Sequence, residues 1–277
     1  MSAPSWLTIA RGDAPLVVSL PHTGTDLVDL ERRLVSPWLA RKDADWHIEQ
    51  LYGFAGELGA TVVRTDISRT VIDVNRDPRG ASLYPGQATT ELCPTTTFDG
   101  EPLYKTGQEP DAEEIAERKA AFFDPYADLL HNEIVRLRGS HRTVALYDCH
   151  SIRSVIPRLF EGELPAFNLG TNSGASADPA LSREVEDILR SSGQSFVVNG
   201  RFKGGSITRG FGQPERNVHA LQMELACRTY LREPIGPVTS DDWPPAYDPA
   251  YARATRQILR GILVAVLKWT RRSARLR

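Results

Sequence analysis

Two short apolar runs, each leading into a histidine, constrain the fold more than any other feature of this chain. Residues 16–20 (Leu-Val-Val-Ser-Leu) lead into Pro21, His22, Thr23 and Gly24. Residues 144–149 (Val-Ala-Leu-Tyr-Asp-Cys) lead into His150, Ser151, Ile152 and Arg153. Short apolar runs bounded by turn residues read as buried strands. Pro21 and Gly24 force a turn that contains His22. Two buried strands that each end on an imidazole predict a metal site at the mouth of an α/β sheet, because open α/β sheets bind ligands beyond their strand ends.

The rest of the pattern fits an α/β chain. Ala44, Ile48, Leu51, Ala55 and Leu58 recur at steps of four and three. That period predicts a helix over residues 43–58, with Asp43 as N-cap and Gly59 as its stop. On such a helix Asp45 and Glu49 share one stripe. β-branched content predicts strands at 61–64 and 70–76, and alternation of strands with helices favours α/β architecture. Residues 77–108 are rich in Pro, Gly and Thr and predict a long loop, a candidate lid over the site. Residues 110–138 predict an amphipathic helix that Pro125 kinks or splits. Further strands are expected at 166–170, 195–199 and 218–225. A helix is expected at 179–191, and a final helix packs through residues 262–267. With no internal repeat or linker, a single domain over residues 1–277 is the expectation.

Composition narrows the function classes. The net charge of −2 over 277 residues gives no electrostatic case for nucleic acid or an anionic membrane as partner. The basic cluster Lys268, Arg271, Arg272, Arg275 and Arg277 reads as a solvated helix end. Cys93, Cys149 and Cys227 are odd in number and lack CxxC spacing, which suits a reducing cytoplasm rather than a disulfide framework. The first residues show no basic region followed by an apolar run, so no signal peptide is expected. The run 262–267 is far short of the roughly 20 residues a membrane helix needs.

Neutral imidazole suits zinc, and a catalytic zinc commonly takes three protein ligands and a water. His22 and His150 are two candidates, and Asp45 or Glu49 is the third. The bland readings stand beside these: a turn histidine is usually a polar turn residue, and Asp43 and Asp45 suit the first turn of a helix. Asp148 fits either an acceptor that orients an imidazole or a turn cap. Glu224 lies in an otherwise apolar strand, where a lone carboxylate is costly. It is therefore either paired, with Arg209 or Arg216, or functional as the general base of a zinc hydrolase. Arg69, Arg76, Arg153 and Arg209, with Asn75 among them, point to a small acidic substrate, since the guanidinium fork matches a carboxylate. Cys149 is expected to face away from His150 along a strand, into the core. The glycine-rich stretch 204–212 lacks the GK[ST] of a phosphate loop.

Six segments together resemble the N-formylglutamate deformylase (N-formylglutamate amidohydrolase) family. They are residues 19–24 (Ser-Leu-Pro-His-Thr-Gly), 43–52 (Asp-Ala-Asp-Trp-His-Ile-Glu-Gln-Leu-Tyr), 68–76 (Ser-Arg-Thr-Val-Ile-Asp-Val-Asn-Arg), 83–85 (Leu-Tyr-Pro), 148–151 (Asp-Cys-His-Ser) and 222–224 (Gln-Met-Glu). The resemblance runs from about residue 5 to 265. It implies a mixed, mostly parallel sheet flanked by helices, phosphorylase/hydrolase-like and akin to the zinc carboxypeptidases. It also implies a zinc-dependent amidohydrolase that cleaves N-formyl-L-glutamate to formate and L-glutamate, the last step of one histidine-degradation route. Carried over residue by residue, the resemblance selects His22, Asp45 and His150 as zinc ligands, with Glu49 as the alternative acid. It selects Glu224 as the general base. Arg69, Asn75, Arg76, Arg153 and Arg209 are the expected substrate-binding set. Alternatives are a related zinc amidase or carboxypeptidase acting on another N-acyl amino acid, and a non-catalytic module that binds acidic amino acids.

Overall fold

The computed structural model describes residues 4–81, 86 and 88–273. Residues 83–85, and Arg275 and Arg277 of the basic cluster, lie outside the described residues. In chain order the strands and helices are β1 (Leu7–Ala10), β2 (Leu16–Leu20), α1 (Pro37–Arg41), α2 (Ile48–Leu51), β3 (Thr61–Thr65), α3 (Ala112–Arg118), α4 (Asp124–Arg138), β4 (Val144–Ile152), β5 (Phe167–Gly170), α5 (Pro179–Ser191), β6 (Phe196–Val198), α6 (Ser206–Phe211), β7 (Val218–Ala226) and α7 (Arg253–Ser273). The strands form one sheet in the order β1-β3-β2-β4-β7-β5-β6. The middle four strands are mutually parallel. β1 and β5 are antiparallel to their inner neighbours. The sheet is thus mixed and mostly parallel, as expected.

Strands β2, β4 and β7 are buried along their whole length. Their side chains alternate between two cores, as the pleat requires. Tyr147, Cys149, Leu221, Met223 and Leu225 pack with the apolar stripes of α5 and α7. Val17, Leu146 and Ala220 pack with Leu130 and Ile134 of α4. On that second face, toward the C-terminal ends of β4 and β7, apolar residues give way to Asp148, His150, Gln222 and Glu224. The register pairs Asp148 with Gln222 and His150 with Glu224.

Four expectations are corrected. Residues 43–58 do not form one helix: His47 takes a left-handed conformation (φ 61°) and only Ile48–Leu51 is helical before a final 3-10 turn. The apolar positions Ala44, Ile48, Leu51 and Ala55 are still buried, so the period marked burial correctly without a continuous helix. Residues 70–76 are turns rather than a strand. There the Thr70 amide donates to Ser68 Oγ and the Asn75 amide to Asp73 Oδ1, local bonds that compete with strand pairing. Strand β4 runs on to Ile152, so His150 sits within it rather than past its end. The expected break at Pro125 is milder than predicted. A π turn at Lys119–Phe123 joins α3 to α4, and Pro125 enters the first turn of α4, where its missing N–H costs little.

His219, on the α7 face of β7, meets Trp269 edge to face and accepts a hydrogen bond at Nδ1 from the Asp178 amide. Burial pushes its imidazole down from 6.5 to about 4. A depressed histidine pKa favours the neutral ring in the folded state. Its stabilisation is therefore complete above pH 6.5 and is lost as pH falls toward 4, by about 2–3 kcal/mol. Urea unfolding at pH 7, 5.5 and 4 should show that loss, and His219→Gln should flatten it. An unchanged slope in the variant would assign the loss elsewhere.

Candidate active site

His22 stands in the turn after β2. Gly24 lets that turn lie against residues 66–67, where an added Cβ would come 2.3 Å from the Ile67 carbonyl oxygen. The Asp45 amide donates to the His22 carbonyl (2.9 Å), which joins the His22 turn to the one bearing Asp45. His150 comes from β4. The three side chains are almost fully buried, at 3, 1 and 3% exposure for His22, Asp45 and His150.

Their ligating atoms converge. His150 Nδ1 lies 3.1 Å from His22 Nδ1 and 3.2 Å from Asp45 Oδ2, and His22 Nδ1 lies 3.7 Å from the same oxygen. Tetrahedral coordination with bonds of about 2.0–2.1 Å places ligand atoms roughly 3.3 Å apart. The spacing and the donor set therefore fit a metal ion. Among the described residues these three form the group of His, Cys, Asp or Glu side chains close enough to hold one. Asp45 Oδ1 is buried with no hydrogen-bond partner.

Behind the imidazoles stand two further carboxylates. His22 Nε2–H donates to Asp73 Oδ1 (2.7 Å), and His150 Nε2 lies 3.0 Å from Asp148 Oδ2. The Asp73 carboxylate favours a proton on His22 Nε2, which turns the Nδ1 lone pair of that ring toward the shared centre. Burial opposes charge on Asp45, but hydrogen bonds to His150 and His22 outweigh it and hold its carboxyl well below the usual range. Asp73 is held low in the same way, by Arg76, His22 and Arg69 against burial. Asn75 accepts from the Ile207 amide at Oδ1, and its Nδ2 lies 3.1 Å from Asp148 Oδ2 and 2.9 Å from His150 Nε2.

Glu224 lies beside this centre at the floor of a cavity. Neither Arg209 nor Arg216 reaches it: Arg209 Nε donates to the Gly204 carbonyl and Arg216 to Gln213. Burial pushes the Glu224 carboxyl up to about 8, His150 pulls it down and Asp45 adds to the rise. A cation held by the neighbouring trio would favour the ionised form that accepts a proton.

Arg69, Asn75 and Arg76 line the same cavity, with Thr90, Phe98, Arg201 and Phe202. The Arg69 guanidinium lies 4.7 Å over the Phe98 ring and donates to Asp73, with Nη1 3.8 Å from Asp45 Oδ1. Arg76 donates from Nη2 to Thr90 Oγ1. Three expected site residues stand elsewhere. Arg153 pairs with Asp43 and Asp99 and lines a separate cavity, because the strand alternates and Ile152 takes the place facing the site. Arg209 turns back onto its own loop. Glu49 is exposed and pairs with Arg64 (3.2 Å), since the left-handed residue His47 rotates it off the Asp45 stripe. Asp43 accepts from the Phe98 amide instead of capping a helix.

A sequence model of the N-formylglutamate amidohydrolase family matches residues 14–231, most of the chain. This chain belongs to that family. It is 46% identical over 267 residues to an N-formylglutamate deformylase of Pseudomonas aeruginosa, covering 96% of this chain and 97% of that one. It is 45% identical over 265 residues to the protein of the same name from Pseudomonas putida, covering 95% and 96%. The crystal structure of N-formylglutamate amidohydrolase from Ralstonia eutropha JMP134 superposes with a TM-score of 0.78 at 21% identity, over 98% of this chain and 100% of that one, and shows a shared fold.

Within this member of the amidohydrolase family, sequence reasoning left Asp73, Gln222, Phe98 and Arg201 out of the site. Asp73 and Gln222 had a signal: a buried acid among arginines, and a polar residue two positions before Glu224 on one strand face. Phe98 and Arg201 reach the cavity by loop closure, which no local pattern announces. Among the described residues no helix is long and apolar enough to cross a membrane.

Proposed function

We propose that this chain is a zinc-dependent deformylase that hydrolyses N-formyl-L-glutamate to formate and L-glutamate. One observation carries the reading: two Nδ1 atoms and a carboxylate oxygen converge, beside a buried Glu224, in a cavity lined by Arg69, Arg76 and Arg201. His22, Asp45 and His150 would hold the ion. A zinc ion held there would supply Lewis acidity for the formyl carbonyl and the attacking water.

The chain's own groups perform the remaining work. Glu224 takes a proton from the attacking water as its oxygen bonds to the formyl carbon. The same carboxyl gives a proton to the amide nitrogen as the C–N bond breaks, so that formate and the free amine leave. Arg69, nearest the trio, would face the charge that develops on the formyl oxygen as water adds. Arg76 and Arg201 supply guanidinium donors for the carboxylates. The buried free cysteines suit a cytoplasmic setting.

Formate release measured over a panel of N-formyl amino acids tests the reading. N-formyl-L-glutamate should be hydrolysed with a kcat/KM at least about tenfold above N-formyl-leucine, since the arginines would lose their side-chain carboxylate partner. A chelator should abolish release and zinc should restore it. Chelator-resistant turnover, or a preference for apolar side chains, would reject the proposal.

A further inference from the structure

The glycine-rich stretch 204–212 has no part in the chemistry above, yet it touches the site at two points. Gly205 seats against the Asn75 amide group, where an added Cβ would come 2.4 Å from both Nδ2 and Oδ1. From that seat its N–H donates to Gln222 Oε1 (2.7 Å). Gln222 is 4% exposed and lies two positions before Glu224 on the same face of β7. With Oε1 held by a backbone donor, the amide cannot flip, and Nε2 is aimed at Glu224 Oε2, 3.4 Å away. Among the described residues, the hydrogen bond that reaches the Glu224 carboxylate comes from this group.

We infer that Gln222 is a positioning residue: clamped by the Gly205 amide, it holds one oxygen of Glu224 and leaves the other turned toward the metal trio. The terminal torsion of a glutamate is soft and nearly two-fold, so an untethered carboxylate would spend much of its time turned away from the attacking water. Misplacement of a proton acceptor by about 1 Å can cost up to a hundredfold in rate. The inference rests on the deformylase reading.

A double-mutant cycle tests it on the zinc-loaded enzyme with N-formyl-L-glutamate. Gln222→Met should lower kcat about tenfold, with KM within about threefold, the zinc content of the wild type, and a thermal midpoint lowered by only a few degrees because the Gly205 amide loses its acceptor. In the Glu224→Gln background the same change should alter kcat less than about twofold, because a residue that acts through another has nothing left to act on. Additive losses, a small effect in the wild-type background, or a rise in KM with kcat unchanged would each overturn the inference. If Gln222→Met fails to fold, Gln222→Asn decides by the same criterion, since it keeps a neutral amide at that position and, one methylene shorter, withdraws the donor from Glu224. Wild-type enzyme that releases no formate would remove the deformylase reading and this inference with it. Active wild type with additive losses removes the inference alone.

Discussion

Glu224→Gln should lower kcat for N-formyl-L-glutamate by about a thousandfold and leave the zinc content of the purified protein unchanged. General-base catalysis contributes about 10²–10⁴ in rate, and an amide of the same shape cannot accept the proton. The zinc should remain because the ligating atoms belong to His22, Asp45 and His150, with Glu224 outside that set. Burial raises the Glu224 carboxyl and a cation on the neighbouring trio would draw it back down, so the two together would favour an ionised group that still accepts a proton. Steady-state formate release and metal analysis on one preparation check both halves. Turnover near the wild-type level would move the base role to another group, and a parallel loss of zinc would make Glu224 part of the metal site.

Asp45→Ala should weaken zinc binding by more than about a hundredfold and abolish turnover, whereas Glu49→Ala should leave both within about twofold. Removing even a group behind a ligand costs 10–100-fold in metal affinity. Here the lost group is the negative charge that faces two imidazoles at 3.2 and 3.7 Å. Glu49 carries its charge on the surface, against Arg64, where an ion pair is worth little. Competition with a chromophoric chelator measures both variants. Equal zinc retention in the two, or loss confined to Glu49→Ala, would reject Asp45 as a ligand.

Much of this was legible in the residues because the central strands are fully buried. A strand covered on both faces must be apolar throughout, so Asp148, His150 and Glu224 stood out as polar intrusions. The family resemblance then ordered those intrusions into roles. The same period-two rule would have removed Arg153, which alternates away from Ile152, and would have drawn in Gln222. Other features were illegible for physical reasons. The break at His47 is a single backbone torsion that the apolar period of residues 44–55 does not report. Residues 70–76 have strand-like side chains, but Ser68 and Asp73 satisfy the amides of Thr70 and Asn75 and leave little for a ladder. Arg201 reaches the cavity through long-range closure, where it donates to the carbonyls of Leu159 and Ala88.

The pairing of His150 with Glu224 across β4 and β7 has an evolutionary corollary. Adjacent strands lie about 4.8 Å apart whatever their side chains, so the backbone ladder acts as a ruler between metal ligand and base. That ruler is indifferent to the loops that bring Phe98, Thr90 and Arg201 over the cavity. Relatives can therefore exchange those loops, and with them the side chains they admit, while the distance between reacting groups is inherited unchanged. Selection for a new acyl amino acid would be expected to rewrite residues 77–108 and 200–204 long before it touched either strand.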